Sequence, residues 1–153
     1  MTNLLDAALI DTADDRAFGR ELRSYLAAVA TGLGVGSESC VVDLVSPASA
    51  YIALDGPVLR FPEHDLALLW NEGFGWSVAV ETPGHEELSV LAYHGGGQVP
   101  RPSEVSAFVS AVRAGDHPTE PSARPNPPTP IAPRTRSELT LLLQAARLPQ
   151  ETA

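Results

Sequence analysis

Three side chains of this sequence have the types that acid–base chemistry requires: the adjacent His64 and Asp65, and Glu81 further along the chain. An imidazole and a carboxylate in one cleft can act as general acid and general base, or can hold a small polar ligand. Together with Glu63, however, residues 63–65 also suit the first turn of a helix, where the helix dipole favours acidic side chains. A small-ligand-binding protein or minor enzyme with a cleft near His64, Asp65 and Glu81 is therefore one hypothesis.

Two glycine-containing motifs are incomplete versions of catalytic or cofactor-binding loops. The run His94–Gly97 is similar to the oxyanion loop of lipases and esterases, whose backbone amides stabilise a tetrahedral intermediate. That chemistry also needs a serine in a G-x-S-x-G elbow, which this sequence lacks. Gly32, Gly34 and Gly36 follow a predicted helix, whereas a dinucleotide-binding loop follows a strand. We interpret the first motif as a strand exit and the second as a helix end.

The possible metal ligands show no spacing typical of a metal site. Four histidines occur singly, without a zinc-binding pattern such as H-E-x-x-H, at His64, His85, His94 and His117. The single Cys40 excludes an internal disulfide, and it lies in an apolar alternation that suits a packed core thiol. We predict no catalytic residue, no metal and no cofactor.

The charge of the chain disfavours some partners. It has 153 residues and a formal net charge of −9, and every basic residue is arginine. Direct binding of nucleic acid depends on clustered basic residues, so we expect none. The first residues contain Asp6 and no basic residue, unlike a secretory signal, and no segment has the roughly 18 apolar residues that a membrane span needs. We predict a cytoplasmic protein without a membrane partner.

The apolar pattern predicts an α+β fold. A first amphipathic helix is expected over 13–32, with one apolar face formed by Phe18, Leu22, Tyr25, Leu26, Val29 and Leu33. Strands follow at 38–46, 49–55 and 58–61. Pro62 then suits the start of a second helix that ends at Gly73 and has Leu66, Leu69 and Trp70 on one face.

The rest of the compact region is predicted to be a hairpin and a helix. Residues 76–81 alternate strictly, with Trp76 on the apolar face, and a turn through Pro83 and Gly84 leads to a partner strand over 88–93. Ser103 can cap a last helix, whose buried stripe is Val105, Phe108, Val109 and Val112. The predicted order is α-β-β-β-α-β-β-α, a mostly antiparallel sheet of about five strands flanked by helices.

The chain divides into segments of different composition. We expect a flexible N-terminal segment over 1–12, a compact domain over 13–115, a proline-rich linker over 116–134, a short amphipathic helix over 135–148 and a tail over 149–153. The short helix has a capping box from Thr135 to Glu138, and its apolar stripe is Leu139, Leu142, Leu143 and Ala146. A helix of this length needs docking for stability. Its own domain and a partner are equally suitable docking surfaces.

The candidate partner-binding residues are the two tryptophans and part of the C-terminal stripe: Trp70, Trp76, Leu139, Leu142 and Leu143. Tryptophan is over-represented at the centres of protein interfaces. Both tryptophans also lie on predicted apolar faces, so packing in the core is the preferred interpretation.

Three sequence blocks carry a family resemblance: AYIALDG at 50–56, FPEHDLALLW at 61–70 and GWSVAVET at 75–82. Over roughly Arg16–Arg113 the chain resembles an actinobacterial family known as domain of unknown function 6292. Arginine without lysine indicates GC-rich coding DNA and agrees with such a source. The family implies no activity and no functional residue.

The predicted element order also resembles the type III secretion chaperone-like fold, whose members are small, acidic, often dimeric proteins that hold other proteins. This likeness lies in element order alone. We therefore predict a non-catalytic protein-interaction or regulatory module of chaperone-like character, with a protein partner that could be a second copy of the chain.

Overall fold

The computed structural model describes the backbone of residues 4–54, 64–81, 88–115 and 134–148, and their side chains from residue 13 onward. The elements are helix α1 (Leu4–Leu33), strands β1 (Cys40–Asp43), β2 (Ser49–Leu54), β3 (Asp65–Asn71), β4 (Gly75–Glu81) and β5 (Leu88–Tyr93), and helices α2 (Pro102–Arg113) and α3 (Arg136–Arg147). In these ranges no helix is long and apolar enough to cross a membrane.

The five strands form one sheet in chain order, β1-β2-β3-β4-β5, with every neighbouring pair antiparallel. This confirms the predicted α+β fold with a mostly antiparallel sheet. The element order is α-β-β-β-β-β-α-α, because the segment after Pro62 is not the predicted helix. Residues 65–71 form the central strand β3, while the predicted third strand at 58–61 lies outside the described residues.

Strand β3 resembles a helix in sequence because it is apolar at consecutive positions. The side chains directed toward the helices are Leu66, Leu68 and Trp70, all buried. On the opposite face Ala67 is also buried and Leu69 is half-buried. A strand that is apolar on both faces loses its alternation and then also fits helical spacing. Pairing with β2 and β4 on its two sides decides its conformation.

The turn between β3 and β4 contains the signal that marks the segment as a hairpin. The Asn71 side-chain oxygen accepts a hydrogen bond from the Gly73 amide (2.7 Å), and the Phe74 amide donates to the Asn71 carbonyl (3.2 Å). Gly75 has φ +76°, and a Cβ added there would lie 2.5 Å from the Gly97 carbonyl oxygen. Only glycine fits this position, so the turn depends on it.

Helices α1 and α2 cover one face of the sheet. The predicted stripe of α1 is confirmed, since five of its residues are fully or almost fully buried: Phe18, Leu22, Tyr25, Leu26 and Val29. The helix begins at Leu4, within the segment for which we expected flexibility. Helix α2 buries Val105, Val109 and Val112 as predicted, but it starts at Pro102 and Arg101 precedes it without a side-chain cap. The prediction of Ser103 as cap is wrong, because proline already suits the first helical position.

The two tryptophans lie opposite each other in register on β3 and β4, and both are buried. The Trp76 indole N–H donates to the Tyr25 hydroxyl (3.0 Å), which in turn donates to the Pro100 carbonyl (2.5 Å). The Trp70 indole N–H donates to the Gln98 carbonyl (2.7 Å). These bonds tie the central hairpin to α1 and to the segment before α2.

Helix α3 docks on its own domain. Its predicted capping box is present, and Leu139, Leu143 and Ala146 are buried against α1. Arg136 lies with its guanidinium carbon 4.6 Å from the centroid of the Phe18 ring and donates to the Leu44 carbonyl (2.6 Å). Of the predicted linker over 116–134, only Arg134 is described, and the predicted turn through Pro83 and Gly84 also lies outside the described residues.

We expect Trp76→Ala to lower the free energy of unfolding by about 3–5 kcal/mol, because it removes a fully buried indole and its hydrogen bond. Urea titration followed by circular dichroism measures the change. Leu141→Ala is the control, since this side chain is exposed and should change stability by no more than about 0.5 kcal/mol. A similarly small change for Trp76→Ala would contradict the packing described above.

Truncation after Gly115 should leave a folded domain of lower stability. Removing α3 takes away two fully buried leucines, Leu139 and Leu143, which corresponds to roughly 3–6 kcal/mol. The point variants Leu143→Ala and Leu141→Ala separate docking from helix content, because only the first side chain is buried. Equal stability of the truncated and full-length chains would show that α3 does not stabilise its own domain.

Candidate functional site

Helices α1 and α2 pack on one face of the sheet and α3 packs on α1, and the other face, which carries none of the described helices, is the candidate site. We call it the open face and define it by the register row that crosses all five strands: Val41, Tyr51, Leu69, Ser77 and Tyr93. Side chains on a strand alternate between the two faces of a sheet. The five side chains of this row therefore point away from the helices, and their neighbours in sequence point toward the core.

The open face is concave over the central strands and lined by apolar and aromatic side chains. A cavity of about 410 Å³ lies above β4, where Gly75 and Ser77 have small side chains. Larger side chains surround this low region, namely Val41, Tyr51, Leu69, Phe74, Leu88, Val90 and Tyr93. Small residues on β4 between larger ones on the neighbouring strands β3 and β5 thus produce the hollow.

The charges on this face are all negative in the described strands. Asp43 is on β1, Asp65 is exposed at the start of β3, and Glu81 ends β4. None of the five strand sequences contains arginine. A ligand that rests on this face therefore meets apolar contacts in the hollow and carboxylates toward its ends.

Tyr51 and Glu81 form a hydrogen-bonded pair across the open face. The Tyr51 hydroxyl donates to a carboxylate oxygen of Glu81, whose side chain is nearly buried. Between them in the register lie Ala67 and Ala79, both fully buried. Burial, and then the hydrogen bond and charge of Glu81, raise the pKa of Tyr51 to about 12. The phenol therefore stays protonated at neutral pH and acts as a donor.

The structure brings together part of the cluster that the sequence suggested for acid–base chemistry. Asp65 and Glu81 are direct register partners, and His64 precedes Asp65 at the start of β3. The hollow is lined by Tyr51 and Leu88 near this cluster. Sequence reasoning missed Tyr51, because only the register of β2 against β3 and β4 places it beside Glu81.

The five predicted partner-binding residues have different surroundings. Trp70, Trp76, Leu139 and Leu143 are buried within the chain, and Leu142 packs partly against the same core. The preferred interpretation of the tryptophans as core residues agrees with this packing. A role of Leu139, Leu142 and Leu143 in partner binding stays a prediction and would require α3 to leave α1.

The described residues hold no group of three or more histidine, cysteine, aspartate and glutamate side chains placed to bind a metal ion. Cys40 is half-buried at the start of β1. Burial, and then the nearby charge of Glu38, raise the pKa of the Cys40 thiol. These causes favour the protonated, less nucleophilic thiol.

Comparison with known proteins gives one family. The model described as "Family of unknown function (DUF6292)" matches residues 25–111, which is more than half of the chain. The matched range includes the whole sheet and ends near the end of α2, so α3 and the first part of α1 lie outside it. No curated protein and no solved structure matches the chain.

We expect Tyr51 to lose its proton at about pH 12 in the folded protein. Its pKa is raised above the ordinary 10.0, so this residue favours folding fully below pH 10 and its contribution is lost as the pH rises toward 12. NMR of tyrosine ring carbons, assigned with Tyr51→Phe, measures this pKa. Glu81→Gln should lower it only in part, because burial is the larger cause. A Tyr51 pKa at the ordinary value would show that the Tyr51–Glu81 pair does not form.

Proposed function

The chain belongs to the Family of unknown function (DUF6292), and we propose that this member is a non-catalytic protein-interaction module. Its open face receives an extended, apolar and positively charged segment of a partner protein. In this proposal the chain acts in a chaperone-like manner, because it shields apolar side chains of another protein from water. We further propose a cytoplasmic location for this activity.

The observation that carries the proposal is the apolar character of the open face. Val41 is 63% exposed and Leu88 is 46% exposed, and both border a hollow lined by aromatic side chains. Exposed apolar side chains around a hollow commonly mark a binding surface. Burying them against a partner contributes free energy in proportion to the area removed from water.

The shape and charge of the face support the chemistry of the segment. The hollow extends across strands from β1 to β5, so an extended segment can place alternate apolar side chains in it. Asp43 supplies negative charge at one side of the hollow, where arginine or lysine of the segment would lie, and opposite charges favour association. A negatively charged segment would be repelled by Asp43.

The chemistry of the Tyr51–Glu81 pair supports a binding role rather than a catalytic one. A tyrosine whose pKa is about 12 is a poor general base at neutral pH. Its hydroxyl already donates a hydrogen bond to Glu81, so one oxygen of that carboxylate has a partner within the chain. The hydrogen bond would instead hold the polar atoms of both side chains in fixed positions beside a bound segment.

The test is a selection from a displayed library of random peptides, followed by affinity measurements on purified protein. We expect enrichment of peptides that combine leucine, isoleucine or phenylalanine with arginine or lysine. Val41→Arg combined with Leu88→Arg should weaken their binding by more than about tenfold, because it adds positive charge and removes apolar contact. Both positions are exposed, so the fold should be retained.

Leu141→Arg is the matched control, because Leu141 is 67% exposed on α3 and the charge change per site is the same. It should bind the selected peptides as the wild type does. Enrichment of acidic peptides, or equal binding by the double variant, would contradict the proposal.

The rival hypothesis of a small ligand near His64, Asp65 and Glu81 predicts a metabolite retained on purification from the native host. Mass spectrometry of that preparation would detect it.

A further inference from the structure

The exposed side of α1 carries three arginines in a single stripe. Arg16, Arg20 and Arg23 are spaced by four and three residues, which places them on one face of a helix, and all three are exposed. Within the described part of the chain none of their guanidinium groups forms an ion pair. This is a concentration of unpaired positive charge on a chain whose net charge is −9.

The stripe lies above a groove between α1 and β1. One cavity of about 320 Å³ is lined by all three arginines together with Gly19 and Leu44. A second cavity of about 250 Å³ is lined by Arg23, Leu26, Ala27, Ser37, Cys40 and Val42. Arg23 lines both cavities, so they are neighbours along α1 and β1, and we call the two together the groove. Leu26, Val42 and Leu44 are the larger apolar side chains that line it.

Asp15 is the carboxylate that lines this groove, and it already has a partner. Its Oδ1 lies 3.4 Å from Nη1 of Arg136 on α3. That ion pair offsets the negative charge at this end of the groove. The three arginines of the stripe can therefore bind an anionic group of another molecule.

Helix α1 runs antiparallel to β1 along the groove, since Gly19 lies beside Leu44 while Ala27 lines the groove with Ser37. The helical rise separates Arg16 from Arg20 by roughly 6 Å along the axis. Alternate residues of a strand are roughly 6.8 Å apart. The same rise separates Arg20 from Arg23 by roughly 4.5 Å. Carboxylates at every second position of a strand would thus match Arg16 and Arg20, and the long side chain of Arg23 can extend to the next carboxylate.

Among the described strands, β1 is the edge of the sheet on this side, with β2 as its partner on the other. In an antiparallel pair, alternate residues of an edge strand point their backbone N–H and C=O groups outward. A further strand can pair with such an edge, which is a common mode of peptide recognition. Its side chains on the helix side would lie beside the arginine stripe.

We propose that this edge binds an extended acidic segment of a partner protein. The segment adds to β1 as a sixth strand, and its alternate carboxylates pair with Arg16, Arg20 and Arg23. This surface is distinct from the open face, and it has the opposite charge. The chain then has two docking surfaces, one for a cationic apolar segment and one for an acidic segment.

The experiment measures binding of a short fluorescent peptide in which glutamate alternates with threonine, by anisotropy at increasing NaCl. We expect binding that weakens with salt, because exposed ion pairs are screened. The triple variant Arg16→Gln, Arg20→Gln, Arg23→Gln should bind about tenfold more weakly, as expected for three exposed ion pairs. The single variant Arg20→Gln should weaken binding about two- to fivefold. Arg134→Gln, which removes one exposed arginine outside the groove, should have no effect.

Two further peptides test the mode of binding. A peptide methylated on alternate backbone nitrogens cannot pair with an edge strand and should lose binding, and a lysine-for-glutamate peptide should not bind. Equal binding of the methylated peptide, or of single-stranded DNA in its place, would overturn strand addition of an acidic protein segment. Equal affinity of the triple variant would also overturn it, as would a dimer of the free chain that the triple variant abolishes.

Discussion

The fold depends on how two buried indoles satisfy their N–H groups. Trp70 and Trp76 face each other across the β3–β4 hairpin in the centre of the core. A buried N–H without an acceptor costs free energy, so each indole needs a partner from outside the sheet. Tyr25 of α1 and the carbonyl of Gln98 supply these partners. The requirement thereby fixes the positions of α1 and of the segment before α2 relative to the hairpin.

That central arrangement leaves the two faces of the sheet with different roles. The face that holds the indoles is filled by the helices, and the side chain of Arg136 secures α3 over Phe18. The open face has small residues on β4 and larger ones on the strands beside it, which creates the hollow. Stability and the candidate binding surface are thus built from alternate residues of the same strands, so each can vary without the other.

Local patterns were sufficient wherever the sequence separates an apolar side of an element from a more polar side, or carries a capping motif. The stripe of α1, the alternation of β4 and the capping box of Thr135 and Glu138 all predicted the observed elements. They failed at β3, whose consecutive apolar residues fit a helix and a strand that is apolar on both faces equally well. The turn residues Asn71 and Gly75 carried the missing signal, since their geometry suits a hairpin.

The sequence by itself determined the α+β class, most of the elements, the burial of both tryptophans and the acidic character of the chain. These follow from side-chain type and spacing within a few residues, which local physical chemistry governs. Only the tertiary structure decided that β3 is central, that α3 docks on α1, and that Tyr51 meets Glu81 on the open face. The tertiary structure alone also placed the arginine stripe beside the edge of β1. Each of these depends on strand register or helix placement between residues distant in sequence, and such pairing leaves no trace in local periodicity.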